Sequence, residues 1–219
     1  MVERRLQIKR DAARLFLAKG VAGTSMRDIA DQVGILPGSL YHHFPSKDAI
    51  ATALVVEFVD DLNARYRSVL PHVSGLRAQL RALIQSSIEV ADRHPYATEV
   101  YQNESSFQSA DADPRISNGV LEAHEFWIMT AQAAHDNGEL SADLEPFEYA
   151  RIVREAVWQA VRFHRADLAE RTDDIVATFL LVFVDGPTLA ARSDERSDRA
   201  LLEDVQQRLA RIEKSLETR

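Results

Sequence analysis

The tightest constraint in this sequence is the spacing of helix stop and start signals between residues 19 and 48. Residues 3–19 place Ile8, Ala12, Leu15 and Phe16 on one helical face, and Lys19-Gly20 ends that run. Ser25-Met26-Arg27-Asp28 has the form of a capping box: the Ser25 hydroxyl accepts from a free amide three residues on, and Asp28 reaches back. Met26, Ile29, Ala30 and Val33 then line one face of a second helix, which Gly34 stops. Pro37 opens a third helix, where its missing N–H costs nothing, and Leu40 and Phe44 face inward. Pro45-Ser46 punctuates again, and Ser46 caps a long helix over about 47–70. The first 47 residues therefore read as three short helices.

Helices lengthen from Pro71 onward, over approximately 75–93, 95–109, 114–137, 146–167 and 172–191. His94-Pro95, Asp113-Pro114, Asn137-Gly138 and Arg171-Thr172 separate them, and Gly186-Pro187 marks a bend or an end. Only 8 glycines and 7 prolines in 219 residues agree with long helices and few tight turns. A polar linker at 193–198 precedes a final helix, about 198–217, carrying Leu202, Val205, Leu209, Ile212 and Leu216. Their 3-4 spacing is a narrow apolar seam, too short for an independent coiled coil, which docks on its own protein or on a dimer partner. No strand or internal repeat is apparent, so the expected fold class is all-α.

Several function classes drop out. Without cysteine there is no disulfide framework, zinc-thiolate site or cysteine nucleophile. Among the 7 histidines, His124 with Glu122, Glu125 or His135 comes nearest to a ligand set, but the i, i+4 histidine pair is missing, so no metal is expected. No P-loop, dinucleotide fingerprint or nucleophile elbow occurs, and neither an enzyme nor a cofactor is expected. No apolar run approaches the roughly 18 residues of a membrane span. Met1-Val2-Glu3-Arg4-Arg5 leads into no apolar run, so no signal peptide is read and a cytoplasmic protein is expected. The formal net charge is -8, yet residues 1–50 hold eight basic and five acidic side chains, and the remaining 169 hold 18 and 29. A +3 segment beside a -11 remainder suggests different partners for each, and only the first suits a polyanion.

Two short helices joined by Gly34-Ile35-Leu36 have the size of a helix-turn-helix, whose second helix enters a major groove about 12 Å wide. Small Gly38 and Ser39 allow close approach, and Tyr41, His42 and His43 offer hydrogen-bonding tips. Lys47 begins the next helix, where free amides and its ammonium can jointly hold a phosphate. Phe16, Gly20, Thr24, Arg27, Asp28, Ile29, Ala30, Gly34, Gly38, Leu40, Tyr41, Phe44, Ser46 and Lys47 together make residues 5–55 resemble the DNA-binding domain of the TetR family of transcriptional regulators. Over 56–191 the resemblance is mainly the layout of helices. It implies an all-helical dimer with a DNA-binding head at 1–47, a ligand-binding and dimerisation domain at 48–192, and the linker and amphipathic helix at 193–219. Pairing through the helices at about 146–167 and 172–191 is implied, as is release from a near-palindromic operator when an effector binds. Carried over by position, Thr24, Tyr41 and Lys47 hold phosphates, while Arg27, Pro37, Gly38, Ser39 and His42 lie near base edges or the adjoining backbone. The alternatives are that Tyr41 packs on the following helix and that Arg27 pairs with Asp31. One departure stands out: where many members open the recognition helix with a small polar residue, this chain has Leu36-Pro37 and loses a side-chain cap.

A narrower likeness rests on the run Gly34–Lys47, on Tyr101-Gln102-Asn103-Glu104 and on Trp158-Gln159-Ala160-Val161-Arg162. It is similar to an actinobacterial TetR subgroup that represses lipid and sterol-ring catabolism and responds to acyl-coenzyme A thioesters. Independently, Arg151, Arg154, Trp158, Arg162 and Arg165 fall within an arc of about 80° at roughly 100° per residue. Such a stripe can hold the phosphates of coenzyme A, with the indole stacking on adenine or an acyl chain. The alternative is a solvated basic face with pairs such as Glu148–Arg151 or Arg151–Glu155, or salt bridges across a dimer. Phe58, Tyr66, Tyr101, Phe107, Phe126, Trp127, Trp158 and Phe163 line either a cavity or an ordinary core. The expected effector-binding set is Tyr101, Gln102, Glu104, Phe126, Trp127, Trp158 and Arg162. Expected partners are double-stranded operator DNA, a small-molecule effector such as an acyl-CoA, and a second copy of the chain, with no membrane. The competing readings are a regulator answering another hydrophobic small molecule, such as a drug or lipid, and a helical protein-interaction module.

Overall fold

Local capping chemistry sets the first three helices. The computed structural model describes residues 2–107, 109 and 112–186, so the linker and final helix expected at 193–219 lie outside the described residues. Helix α1 is Val2–Lys19 and α2 is Met26–Val33. Ser25 Oγ accepts from the Asp28 amide at 3.0 Å, and Asp28 Oδ2 accepts from the Ser25 amide at 2.9 Å, so the capping box is complete. Gly34 ends α2 at φ 74°, a left-handed conformation that a side chain would strain. Helix α3, Pro37–His43, starts from extended Leu36 with no side-chain cap. Ser46 Oγ accepts from the Ala49 amide at 3.0 Å and starts α4, Lys47–Val69.

Among the described residues five more α-helices follow: α5 Leu76–Arg93, α6 Ala97–Asn103, α7 Pro114–Asp136, α8 Pro146–Phe163 and α9 Thr172–Leu180, the last continued by a π-helical turn, Leu181–Asp185. No strand occurs among the described residues. The chain divides into two packing units, Met1–Val176 and one beginning at Ala177.

Two helices are shorter than the sequence implies. The one expected over 95–109 ends at Asn103, because Glu104 adopts an extended conformation (φ -104°, ψ 100°) and a 3-10 turn, Ser105–Phe107, follows. Leaving the helix lets Glu104 Oε1 accept from the Val21 amide at 2.9 Å, a bond between the end of α6 and the turn after α1. The helix expected over 146–167 ends at Phe163, and the turns that follow keep Leu168 buried.

Helices α4, α5, α7 and α8 enclose the main core, with Leu83, Ile84, Ile116, Val153 and Val157 inside. Gly119 lets α7 approach α4: a Cβ there would sit 2.5 Å from Val59 Cγ1, and Asn63 Nδ2 donates to the Gly119 carbonyl at 2.8 Å. Helix α1 packs on α2 and α4 through Ile8, Ala12 and Phe16. The buried Lys9 forms an ion pair with Glu57 of α4, and the Arg5 guanidinium lies 4.1 Å from the centre of the Phe44 ring. The head is therefore fixed to the helix that also walls the core.

Candidate functional site

Helix α3 is anchored by its inward side chains, Leu40 together with Phe44 at its end, both buried. That fixes which residues turn outward: Pro37, Gly38, Ser39, Tyr41 and His42 are all exposed. Tyr41 is 54% exposed, so most of its ring is presented rather than packed on α4. A Cβ at Gly38 would meet nothing within 4 Å, which leaves this surface open to an incoming molecule. Arg27 is exposed on α2, and no ion pair joins it to Asp31. The Ser25 amide and hydroxyl hold the neighbouring Asp28 carboxyl below its ordinary range, so that acid is committed to the cap. Lys47 Nζ donates to the Ala22 carbonyl at 2.9 Å, which leaves it two further N–H groups. Thr24 stands apart from this set: it is 2% exposed, and its hydroxyl donates to the Gly20 carbonyl at 2.8 Å. Its place is inside the turn that orients α2.

Behind the head, α4, α6, α7 and α8 surround a cavity of about 260 Å³. Its walls are largely aromatic, from Phe58, Tyr66, Tyr101, Trp127 and Trp158, with Thr98, His124, Arg154 and Glu155 as polar groups. Phe58 and Trp158 meet edge-to-face at 5.7 Å. A directed chain of hydrogen bonds fixes one wall. Ser87 Oγ donates to the Leu83 carbonyl at 2.8 Å and lies 2.6 Å from Tyr66 Oη. Since a serine has one hydroxyl hydrogen, Tyr66 is the donor in that pair, and its oxygen accepts from Trp127 Nε1 at 3.3 Å. Burial pushes the Tyr66 phenol up to about 12, so it remains protonated and able to donate.

The cavity thus brings together Tyr101, Trp127 and Trp158 of the expected set and leaves out others. Phe126 packs edge-on against Tyr66 at 5.5 Å and does not line it. Glu104 turns to Val21 instead. Gln102 belongs to α6, and its side chain lies outside the described residues. Arg162 borders a separate small groove with Asp92, Glu99 and Arg165, and its Nη2 donates to Gln159 Oε1.

The arginine that reaches the cavity is Arg154, 8% exposed. Its Nη2 donates to Glu155 Oε1 at 3.0 Å, while its Nε has no hydrogen-bond partner among the described residues. A sequence signal for it exists: Arg154 directly follows Val153 and lies beside the apolar face of α8, whereas Arg162 is turned farther away. Arg151 pairs with Glu148 and Arg165 with Glu99, as a solvated basic face would. Burial, and then the Arg154 charge, push the His124 imidazole down to about 4, so it faces the cavity neutral. Burial and the Glu155 charge raise the Tyr101 phenol. A wider open groove of about 800 Å³ lies elsewhere, but its arginines already pair, Arg65 with Glu89 at 2.8 Å and Arg93 with Asp61 at 3.0 Å. Among the described residues no three His, Asp or Glu side chains cluster to hold a metal, and no helix is long and apolar enough to cross a membrane.

These two sites can be set beside known proteins. Residues 8–54 match the family described as bacterial regulatory proteins, tetR family. The chain is 34% identical over 184 residues to the HTH-type transcriptional repressor KstR2 of Rhodococcus jostii (strain RHA1), covering 84% of this chain and 90% of that one. It is 30% identical over 188 residues to KstR2 of Mycobacterium tuberculosis (strain ATCC 25618 / H37Rv), covering 84% and 93%. The solved structure of the ketosteroid transcriptional regulator KstR2 of Mycobacterium tuberculosis is similar with a TM-score of 0.74 at 30% identity, over 84% of this chain and 94% of that one. With its all-helical architecture and helix-turn-helix head, this chain belongs to the TetR family of bacterial regulatory proteins, which are DNA-binding transcriptional regulators and not enzymes.

Proposed function

We propose that this protein is a cytoplasmic dimeric repressor that an acyl-CoA thioester releases from a near-palindromic operator. In this reading α3 enters the major groove, Arg27, Pro37, Gly38, Ser39 and His42 face base edges or adjoining backbone, and Tyr41 and Lys47 hold phosphates. Thr24 acts from inside, by fixing the turn before α2. Exposed Phe147, Ile152 and Phe163 on α8, with Leu121 and Met129 on α7, offer apolar surface for a second copy. Two equivalent heads then call for two equivalent half-sites.

The observation that carries the effector assignment is Arg154. A guanidinium withdrawn from water is costly unless its donors are met, and here Nε is unmet in a cavity lined mainly by aromatic and aliphatic side chains. The complementary ligand is flat and apolar and carries an oxygen acceptor, such as an acyl carbonyl or carboxylate. About 260 Å³ suits the acyl group, with the coenzyme's nucleotide left outside. A ring-bearing acyl group fits the aromatic walls, in keeping with a relative described as a ketosteroid transcriptional regulator. The test is fluorescence anisotropy on the DNA beside the protein's own gene, with a panel of acyl-CoAs and the matching free acids. Release by ring-bearing acyl-CoAs is expected, and Arg154→Met should bind DNA normally but no longer be released. No response to any thioester would defeat the acyl-CoA assignment, while release by free acids or unrelated apolar compounds alone would favour another hydrophobic effector.

A further inference from the structure

Leu36 is 78% exposed and sits directly before α3. Its sequence position, four before the buried Leu40, would turn it inward if it were helical. Instead its backbone is extended (φ -67°, ψ 141°), so the side chain leaves the inward face. Around it lies the open surface of Pro37, Gly38 and Ser39. A lone exposed leucine is ordinary on a protein surface, so its exposure alone decides nothing. What decides is that this leucine is continuous with the surface that meets DNA, and that it can neither donate nor accept a hydrogen bond. A small polar residue here would cap α3 or hold a phosphate, and leucine does neither. The apolar feature that the major groove displays on its base edges is the C5-methyl group of thymine.

We infer that Leu36 is a specificity-determining residue that packs against a thymine methyl group in each half-site of the operator. The inference rests on α3 being the helix that enters the groove. In place of a phosphate contact without sequence information, the chain gains one that distinguishes thymine from cytosine and from uracil.

The experiment uses the full-length protein and a duplex enriched by it from a randomised library. Each thymidine is replaced in turn by deoxyuridine, which removes only the methyl group. The wild type should lose about fourfold in affinity at one thymine per half-site, the value of burying one methyl, and about fifteenfold when both half-sites are changed. Leu36→Ala and Leu36→Ser, both at an exposed position, should bind the two duplexes equally. A library enriched by Leu36→Ala should no longer require thymine there. If the wild type discriminates nowhere, or if Leu36→Ala discriminates as strongly as the wild type, the inference is overturned. Gly38→Glu keeps the failures apart. A Cβ at this position meets no protein atom within 4 Å, and the added carboxylate should abolish binding if α3 faces DNA. Unimpaired binding by Gly38→Glu would remove the groove reading itself, whereas lost binding with an unchanged uracil ratio in Leu36→Ala would remove only the role of Leu36.

Discussion

Tyr66→Phe deletes one oxygen from the fully buried middle of a directed chain. In the wild type, Trp127 Nε1 donates to Tyr66, Tyr66 donates to Ser87, and Ser87 donates to the Leu83 carbonyl. Phenylalanine leaves the Trp127 N–H without an acceptor and the Ser87 oxygen without its donor, both out of contact with water. Each orphaned group costs about 1–3 kcal/mol, and the Trp127 bond, long at 3.3 Å, belongs at the low end. The sum is about 2–4 kcal/mol, or roughly 5–10 °C in Tm for a chain of this length. Ser87→Ala alone leaves the Tyr66 hydroxyl unmet and costs about 1–2 kcal/mol. Because the two changes break the same bond, the double variant should be about 1 kcal/mol more stable than the sum of the singles. Urea unfolding at fixed protein concentration measures all three, since association would otherwise shift the midpoint. A loss under about 0.5 kcal/mol for Tyr66→Phe, or strict additivity in the double variant, would refute the directed chain.

Three shorter predictions rest on other contacts. The His124 imidazole titrates near 4 when folded and near the ordinary 6.5 when unfolded, so below pH 6.5 the unfolded chain takes up the extra proton. Stability should fall as pH drops from about 6.5 to 4, and a urea-midpoint series on His124→Gln should show a shallower fall over that window. Gly119→Ala puts a methyl 2.5 Å from Val59 Cγ1 and should cost about 1–3 kcal/mol in the same unfolding assay. Lys47→Ala should weaken binding on all DNA sequences alike and lower the slope of log affinity against log salt by about 2 per dimer, as anisotropy between 50 and 200 mM salt would show.

The head was legible in the sequence because capping is local. Ser25, Asp28, Gly34 and Ser46 act within four residues of themselves, so their spacing alone fixes three helix boundaries. The cavity was not legible to the same degree, because it depends on which turn of α8 another helix covers. Arg154 and Arg162 mark the two edges of the arginine stripe, eight residues and about 80° apart, and the effector expectation falls on Arg162. Only the packing of α8 against α7 and α5 buries the first and leaves the second at another groove. Glu104 shows the same limit: polar and close to Tyr101, it read as a cavity residue until the break in α6 carried it to Val21, 83 positions away.

Charge is where sequence and structure correct each other. An acidic total taken alone argues against DNA, and the basic surplus of residues 1–50 answers that objection by counting. Counting, however, treats every basic side chain as available. Lys9 is buried against Glu57, Arg5 covers the Phe44 ring, and Arg14 and Lys19 lie 3.5 and 3.9 Å from Asp11 and Asp28. Lys9, Arg5 and Lys19 therefore hold α1 to the rest of the protein, while Arg14 pairs within α1. What remains exposed in the head is Arg4 and Arg10 on α1 and Arg27 on α2, with the two free N–H groups of Lys47. So few cations per head give a small non-specific term, since that term scales with the phosphates neutralised. Discrimination then has to come from contacts that carry sequence information, which is why an apolar residue such as Leu36 can be tolerated where a phosphate ligand would otherwise stand.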